Sequence, residues 1–262
     1  MRALFINLDR AGERCAFMEA QGRRLCLALE RVRAVEAAAI DASTIARLDG
    51  RWERPLSGGE LGCFLSHHAI WREVAAGTGP VLVLEDDAVL SRRLPGALPR
   101  LADFGEAEFL NLESFGRRRF AASRTSDLGG GVAVRRMLRD KSGSAAYLLW
   151  PAGARRLLAR AERGAAPVDA FVHGLSDLRA FQAEPALAIQ AHLWEARGRS
   201  AGIDPATSIQ APRDRLPLDA AHWRFHTRRA WTQIALLRFH ALRATGLARY
   251  ERTPLDERDF ET

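Results

Sequence analysis

The chain contains a single lysine, Lys141, among 39 basic residues, so almost all of its positive charge is carried by arginine. A GC-rich genome produces that bias without any function, but arginine also suits bidentate phosphate binding. The formal net charge of +7 is compatible with nucleic acid, anionic lipid or phosphorylated substrates. No helix-turn-helix, RNA-binding aromatic motif or zinc ligand set accompanies it, so no nucleic-acid partner is expected. Cysteine is equally scarce. Cys15, Cys26 and Cys63 are odd in number and lack metal spacing, which argues against a disulfide framework and leaves buried or neutral thiols. No apolar run approaches the roughly 20 residues that span a bilayer. Met1 is followed at once by strand-like residues 3–8, too short a stretch for a signal peptide, so the expected compartment is the cytoplasm. Internal repeats and low-complexity tracts are absent. What remains is an ordinary globular composition, 47% apolar and 27% charged, in 262 residues. That length carries one large α/β domain, with or without a helical tail.

Residues 3–8 (ALFINL) read as a buried strand, followed by a helix to about Glu30 and an alternating strand at 31–35. Ser57-Gly58-Gly59-Glu60 fits a capping box opening a helix to about Ala76, with Leu61, Phe64, Leu65, His68, Trp71 and Ala75 on one face. Val81–Leu84 is a continuous apolar strand of the kind buried on both faces in a parallel sheet. Further strands are expected at 109–112, 132–134, 144–150 and 186–189, and residues 114–130 read as an Arg-, Ser- and Gly-rich loop. Strands alternating with helices imply an α/β sheet whose ligand site lies beyond the carboxyl ends of its strands.

Glu85, Asp86 and Asp87 stand at the end of the Val81–Leu84 strand. Three adjacent carboxylates repel one another, and a cation or hydrogen bonds must offset that cost. Successive residues of an extended segment point to opposite sides, so Glu85 and Asp87 are expected to share one direction and Asp86 to face the other. Two of them could grip a hard divalent cation through oxygen and leave its other positions to diphosphate oxygens. Solvated strand-end carboxylates or helix N-cap residues are the alternative. The run Val81–Asp87 also looks like the first strand of a phosphoacceptor receiver domain. In those domains this strand opens the chain and the acceptor Asp ends another strand about 45 residues on. Here a strand-helix-strand unit precedes the cluster, and the 109–112 strand ends in Glu113.

Three blocks in order resemble a known family: Phe5-Ile6-Asn7-Leu8-Asp9-Arg10 with Glu13-Arg14; Glu60-Leu61-Gly62-Cys63-Phe64-Leu65-Ser66-His67 with Trp71; and Val83-Leu84-Glu85-Asp86-Asp87. A weaker fourth runs from Ser144 through Ala154 to Pro167-Val168-Asp169. On these, the chain resembles glycosyltransferase family 25, the bacterial lipopolysaccharide or lipooligosaccharide glycosyltransferases related to the collagen galactosyltransferases. The resemblance implies a GT-A-like, single Rossmann-type domain with a mixed sheet. It also implies inverting transfer, a UDP-sugar donor (most often UDP-galactose), a glycan or glycolipid acceptor and a divalent metal, Mn2+ or Mg2+.

Carried over, the resemblance puts Asn7, Arg10, Arg14, Ser66, His67, Glu85 and Asp86 at the nucleotide-sugar site and gives the metal to Asp87 and Glu85. Arg10 and Arg14 could otherwise be a solvated helix start, and His67 a core histidine supporting the acidic loop. The general base must be a different carboxylate. Asp169 is the first candidate, with a purely structural N-cap role as its alternative. Glu113 is the second candidate and Asp177 a distant third. The loop 114–131 is either a lid over the donor or a variable loop.

The catalytic domain is expected over 1–212 and a basic helical extension over 213–262. In that extension Trp223, Phe225, Trp231, Ile234, Leu237 and Leu242 could form one apolar side. It would either rest peripherally on the anionic inner face of the membrane or pack on the catalytic domain with its arginines solvated. The alternative to an enzyme is a catalytically inactive or regulatory nucleotide-sugar-binding protein of the same fold.

Overall fold

The computed structural model describes residues 1–140, 143–174, 177–205, 217, 219 and 222–260. In chain order the elements are β1 (Ala3–Asn7), α1 (Gly12–Leu25), β2 (Leu29–Arg33), α2 (Ala42–Leu48), α3 (Gly58–Ala76), β3 (Val81–Glu85), β4 (Ala88–Leu90), α4 (Leu94–Ala102) and β5 (Phe109–Asn111). Next come β6 (Arg118–Asp127), β7 (Ala133–Arg139), β8 (Ala146–Leu149), α5 (Pro151–Ala161), α6 (Val168–His173), β9 (Ala180–Glu184), β10 (Ala188–Gln190), α7 (Ala191–Glu195), α8 (Trp223–Ala244) and β11 (Ala248–Arg252).

Nine strands form one mixed sheet in the order β11-β6-β7-β9-β5-β8-β3-β1-β2, and β10 pairs β4 in a separate antiparallel ribbon. β1 runs parallel to both β2 and β3, whereas β3 and β8 are antiparallel. Because side chains alternate across a strand, each central strand feeds two apolar layers. Phe5, Leu82, Leu84, Leu110 and Leu148 point into the layer shared with Met18 of α1 and Leu94, Leu98 and Leu101 of α4. Leu4, Ile6, Val81, Val83, Phe109 and Tyr147 point into the layer shared with Leu61, Phe64 and Trp71 of α3, Leu157 of α5 and Phe171 of α6. The strand Val81–Leu84 is therefore buried on both faces, as its unbroken apolar run predicts. This is a mixed α/β architecture with a large mixed sheet, consistent with a Rossmann-like glycosyltransferase.

Several elements differ from the sequence-based expectation. Residues 118–127, read as loop, form β6, the longest strand, paired with β7 and β11. Arginines at 118, 119 and 124 hide its alternation, and its outer half is exposed. Arg119 nevertheless lies buried, because Glu184 of β9 accepts its hydrogen bond at 2.9 Å. The strand Ala180–Glu184 was not anticipated ahead of the one expected at 186–189, which is β10. The C-terminal region is not wholly helical either: α8 ends at Ala244 and the chain returns to the sheet as the edge strand β11. The expected boundary at 212/213 lies outside the described residues. α8 is anchored by Phe239, whose ring stacks 5.7 Å from that of Phe120, and by buried Phe225. Trp223, Trp231, Ile234 and Leu237 face outward and stay exposed, so Phe225 does not share their side. Among the described residues no helix is long and apolar enough to cross a membrane.

Candidate active site

β2 lies on one side of β1 and β3 on the other. The crossover thus changes direction between β1 and β3, and a crevice opens at their carboxyl ends. Register places Ile6 opposite Glu85, so Asn7 closes β1 just where the acidic residues leave β3. Asn7 is buried, and its amide donates to Asp86 Oδ2 at 2.8 Å and to the Ala11 carbonyl at 3.0 Å. Its side-chain oxygen accepts from Arg31 at 2.8 Å. Arg14, one turn into α1, donates to Asp86 Oδ1 at 3.1 Å. Arg10 instead turns outward and pairs with Glu36, although it still borders the cleft. The first strand and helix therefore clamp one carboxylate, Asp86.

The extended geometry expected for the triplet does not hold, because Asp86 and Asp87 form the turn between β3 and β4. The alternation of side chains stops at Glu85. Glu85 accepts from the Ser144 hydroxyl at 2.8 Å, and its Oε1 stands 3.4 Å from His67 Nε2. Burial pushes the Glu85 carboxyl up, but His67, Ser144 and Arg14 outweigh burial and leave it below the usual range. Asp87 has the opposite balance. It is buried, its Oδ1 has no hydrogen-bond partner, and burial followed by the neighbouring Glu85 charge raises its pKa to about 7. Burial also raises Asp86, against the pull of Asn7 and Arg14. The cluster thus holds more negative charge than its protein partners neutralise. The orphaned Asp87 oxygen beside an ionised Glu85 fits a hard divalent cation, which would take the place of the proton.

α3 supplies the wall behind this cluster. Its capping box is complete: Ser57 Oγ accepts from the Glu60 amide at 3.2 Å, and Glu60 returns a bond to the Ser57 amide at 3.0 Å. The same Glu60 carboxylate receives Arg54 through two bonds, at 2.6 and 2.8 Å. Gly62 permits the close approach of the strand-end segment after β2, since a Cβ there would lie 2.6 Å from the Val35 carbonyl oxygen. Ser66 is committed to that approach, donating to Gly62 at 2.7 Å and accepting from the Val35 amide at 2.8 Å. His67 is fully buried, with Nδ1 2.8 Å from the Tyr147 hydroxyl, which also accepts from Trp71 at 3.1 Å. His67 is thus buried against Tyr147, yet it lines the cleft and meets the acidic cluster through Nε2. Cys63 Sγ, His67 Nε2 and a Glu85 oxygen lie within 4.8 Å of one another, a grouping the spacing of cysteines did not suggest. Burial holds the Cys63 thiol well above its usual range, so it stays protonated and matches a hard cation poorly.

The two candidate bases separate cleanly. Asp169 is not an N-cap, because Pro167 holds that position; it sits in the first turn of α6 and accepts from the Ala170 amide at 3.0 Å. It borders the cleft, and burial raises its pKa against the pull of Ala170 and His173. Glu113 is 1% exposed and accepts from the Ala145 amide at 2.9 Å, and burial keeps it well above the usual carboxylate range. It lies beneath the cleft lining rather than in it, while its neighbours Ser114 and Phe115 line the cleft. Asp177 is on the surface, paired with Arg156 at 3.0 Å, and does not reach the cleft.

The cleft has a volume of about 1540 Å³ and draws on both ends of the chain. Phe115 and Arg117 in the segment before β6, His192 of α7 and Arg252 at the end of β11 all line it. None of these was singled out from sequence, and nothing in the local pattern marks Arg252 among so many arginines.

A sequence model described as "Glycosyltransferase family 25 (LPS biosynthesis protein)" matches residues 1–172. The chain belongs to glycosyltransferase family 25. The matched span contains Asn7, Arg14, His67, the Glu85–Asp87 turn and Asp169, and stops before α7, α8 and β11. Among relatives, "Inactive glycosyltransferase 25 family member 3" of Homo sapiens is 38% identical over 160 residues, covering 53% of this chain and 26% of that protein. "Procollagen galactosyltransferase 1-B" of Xenopus laevis is 31% identical over 226 residues, 78% of this chain and 36% of that protein. "Procollagen galactosyltransferase 2" of Homo sapiens is 30% identical over 158 residues. The chain thus spans about a quarter to a third of the length of these family 25 relatives.

Proposed function

We propose that this family 25 chain is a metal-dependent, inverting glycosyltransferase that moves a hexose, galactose from UDP-galactose in the first instance, onto a glycan or glycolipid acceptor. The observation that carries the reading is the Glu85–Asp87 turn. It places a buried carboxylate with an orphaned oxygen at the crevice between β1 and β3, in a cleft large enough for a nucleotide-sugar and an acceptor. Asp87 and Glu85 would hold the divalent ion, Mn2+ or Mg2+. When bound, that ion supplies positive charge to the diphosphate leaving group.

The remaining work falls to the chain's own residues. Asn7 and Arg14 fix Asp86, and through it the shape of the turn. Ser144 and His67 hold Glu85 ionised against its burial. Asp169 borders the cleft from α6, and burial raises its carboxyl above the usual range, which favours its taking up a proton from an acceptor hydroxyl. The names of the procollagen galactosyltransferases support galactose as the sugar, and the family description, which includes lipopolysaccharide biosynthesis, supports a glycan or glycolipid acceptor. The exposed Trp231, Ile234 and Leu237 on arginine-rich α8 support peripheral contact with an anionic membrane face, where a glycolipid acceptor would lie.

The test is UDP binding and UDP-galactose hydrolysis by the purified chain, with manganese and with EDTA. Manganese-dependent binding and turnover are expected. Other relatives carry names that call them inactive, and this favours a second reading, a nucleotide-sugar-binding protein without transfer activity. Tight manganese-dependent UDP binding with no turnover of any UDP-sugar would select that reading. No UDP binding at all would overturn both.

A further inference from the structure

A second cavity, of about 540 Å³, lies on the other side of the segment that carries Asp169. Ala165, Ala166 and Phe171 face this cavity, whereas Pro167, Val168, Asp169 and Ala170 face the cleft. Trp52 lines both. The two spaces are therefore neighbours divided by one indole and the start of α6. The volume is within the ordinary range for a small-molecule site.

Its lining is dominated by guanidinium groups. Arg160 is half-buried; it lies 4.6 Å from the Phe171 ring centroid and donates to the Phe171 carbonyl at 2.5 Å. Gly174 makes room for it, since a Cβ there would stand 2.7 Å from an Arg160 nitrogen. The side chain is thus pinned as a rigid, aromatic-backed cation. Arg51 and Arg163 at the rim are exposed and make no ion pair among the described residues. Arg156 is already satisfied by Glu108 and Asp177, and Asp177 is the only carboxylate in the lining among the described residues. Positive charge accumulates from behind as well. Burial, then the neighbouring Arg139, lowers Arg160 to about 10, and Arg228 of α8 is depressed by burial, then by Arg224 and Arg51. Glu53 faces Arg139 from that side, but on the cavity's own lining four arginines, Arg51, Arg156, Arg160 and Arg163, face the single carboxylate Asp177 among the described residues, which favours an anion there.

We infer that this arginine-lined cavity is an acceptor subsite that binds a phosphate group carried on the sugar acceptor, seated across Trp52 and α6 from the Asp169 side of the donor cleft. The inference rests on the transferase reading above. A phosphate held by Arg160 and Arg163 would anchor an acceptor that runs over Trp52, the residue lining both spaces, and direct a hydroxyl into the cleft that Asp169 borders. Fixing the acceptor at a remote charged group is an effective way to orient a reacting hydroxyl. Arginine rather than lysine suits this, because the planar fork reads phosphate oxygens in pairs.

Calorimetric titration of the full chain at low ionic strength with glucose 6-phosphate, inorganic phosphate and glucose tests this directly. Glucose 6-phosphate is expected to bind, glucose not, and inorganic phosphate to bind more weakly at the same residues. Saturating UDP with manganese should leave the glucose 6-phosphate affinity within a factor of about two. The double variant Arg51→Glu/Arg163→Glu changes only exposed side chains and should weaken binding at least tenfold; Arg160→Gln should do the same. Absence of glucose 6-phosphate binding, its displacement by UDP, or unchanged affinity in the double variant would each overturn the assignment. UDP binding, measured separately, reports on the donor site. If it is missing, the transferase reading fails by itself, while the sugar-phosphate titration still decides whether the cavity is an anion site.

Discussion

Replacing Asp87 by asparagine should stabilise the metal-free chain while removing its response to metal. In the fold the Asp87 carboxyl titrates near 7 because it is buried next to Glu85, whereas an unfolded aspartate titrates near 3.9. The folded state therefore holds its proton more tightly than the unfolded one. Between about pH 4 and pH 7 stability falls as pH rises, and above about 7 the full penalty is present. Three pH units at about 1.36 kcal/mol each give a ceiling of ~4 kcal/mol. Glu85 shares the repulsion, and a buried asparagine amide needs acceptors of its own, so about half of that, ~2 kcal/mol, should be recovered by Asp87→Asn. For a chain of this size that corresponds to a thermal midpoint about 4–8 °C higher. The assay is thermal unfolding in EDTA at pH 8 and pH 5, followed by pH 8 with manganese. The variant should unfold at higher temperature than the parent at pH 8 and show a much smaller advantage at pH 5, where Asp87 is already protonated. Manganese should raise the parent's midpoint by mass action and leave the variant unmoved. A variant that is no more stable at pH 8 in EDTA, or equally favoured at both pH values, would refute the claim that Asp87 is an uncompensated buried charge.

Asp169→Asn should lower kcat by about 100- to 10,000-fold with UDP binding preserved, and Glu113→Gln should stay within a few-fold, since Glu113 sits under the cleft; the reverse ranking in a steady-state assay would move the base to Glu113. Ser57→Ala should cost ~1 kcal/mol by removing half of the capping box on α3, read as a midpoint about 2–4 °C lower with folding otherwise intact. Trp231→Glu with Leu237→Glu, both on the outward side of α8, should abolish co-sedimentation with phosphatidylglycerol-containing vesicles without changing the thermal midpoint; equal sedimentation of parent and variant would rule out α8 as a membrane contact.

Local chemistry made the parts of the chain around the acidic cluster readable. The unbroken apolar run at Val81–Leu84 announced a strand buried on both faces, and Ser57 with Glu60 announced the start of α3. The order of the Asn7, His67 and Glu85–Asp87 blocks announced the family. These signals survive because each depends on residues close in sequence. The partners of individual side chains were not readable in the same way. Ser66 and His67 line the cleft, and their hydrogen bonds go to Val35 and Tyr147, which lie 31 and 80 residues away. Arg10 and Arg14 also line the cleft, where Arg10 pairs with Glu36 and Arg14 with Asp86.

Local sequence was enough for the α/β class, the family, the capping box of α3 and an acidic cluster at the end of a buried strand. The tertiary structure alone decided that Asp87 is the uncompensated member of that turn, that Asp169 borders the cleft and Glu113 lies beneath it, and that residues 118–127 and 248–252 are strands. It also decided that Arg51, Arg160 and Arg163 share one cavity. The physical reason is common to all of these. Burial, charge compensation and edge pairing are set by partners distant in sequence, and an arginine reads the same in a solvated loop, a sheet edge or an anion site until its neighbours in space are known.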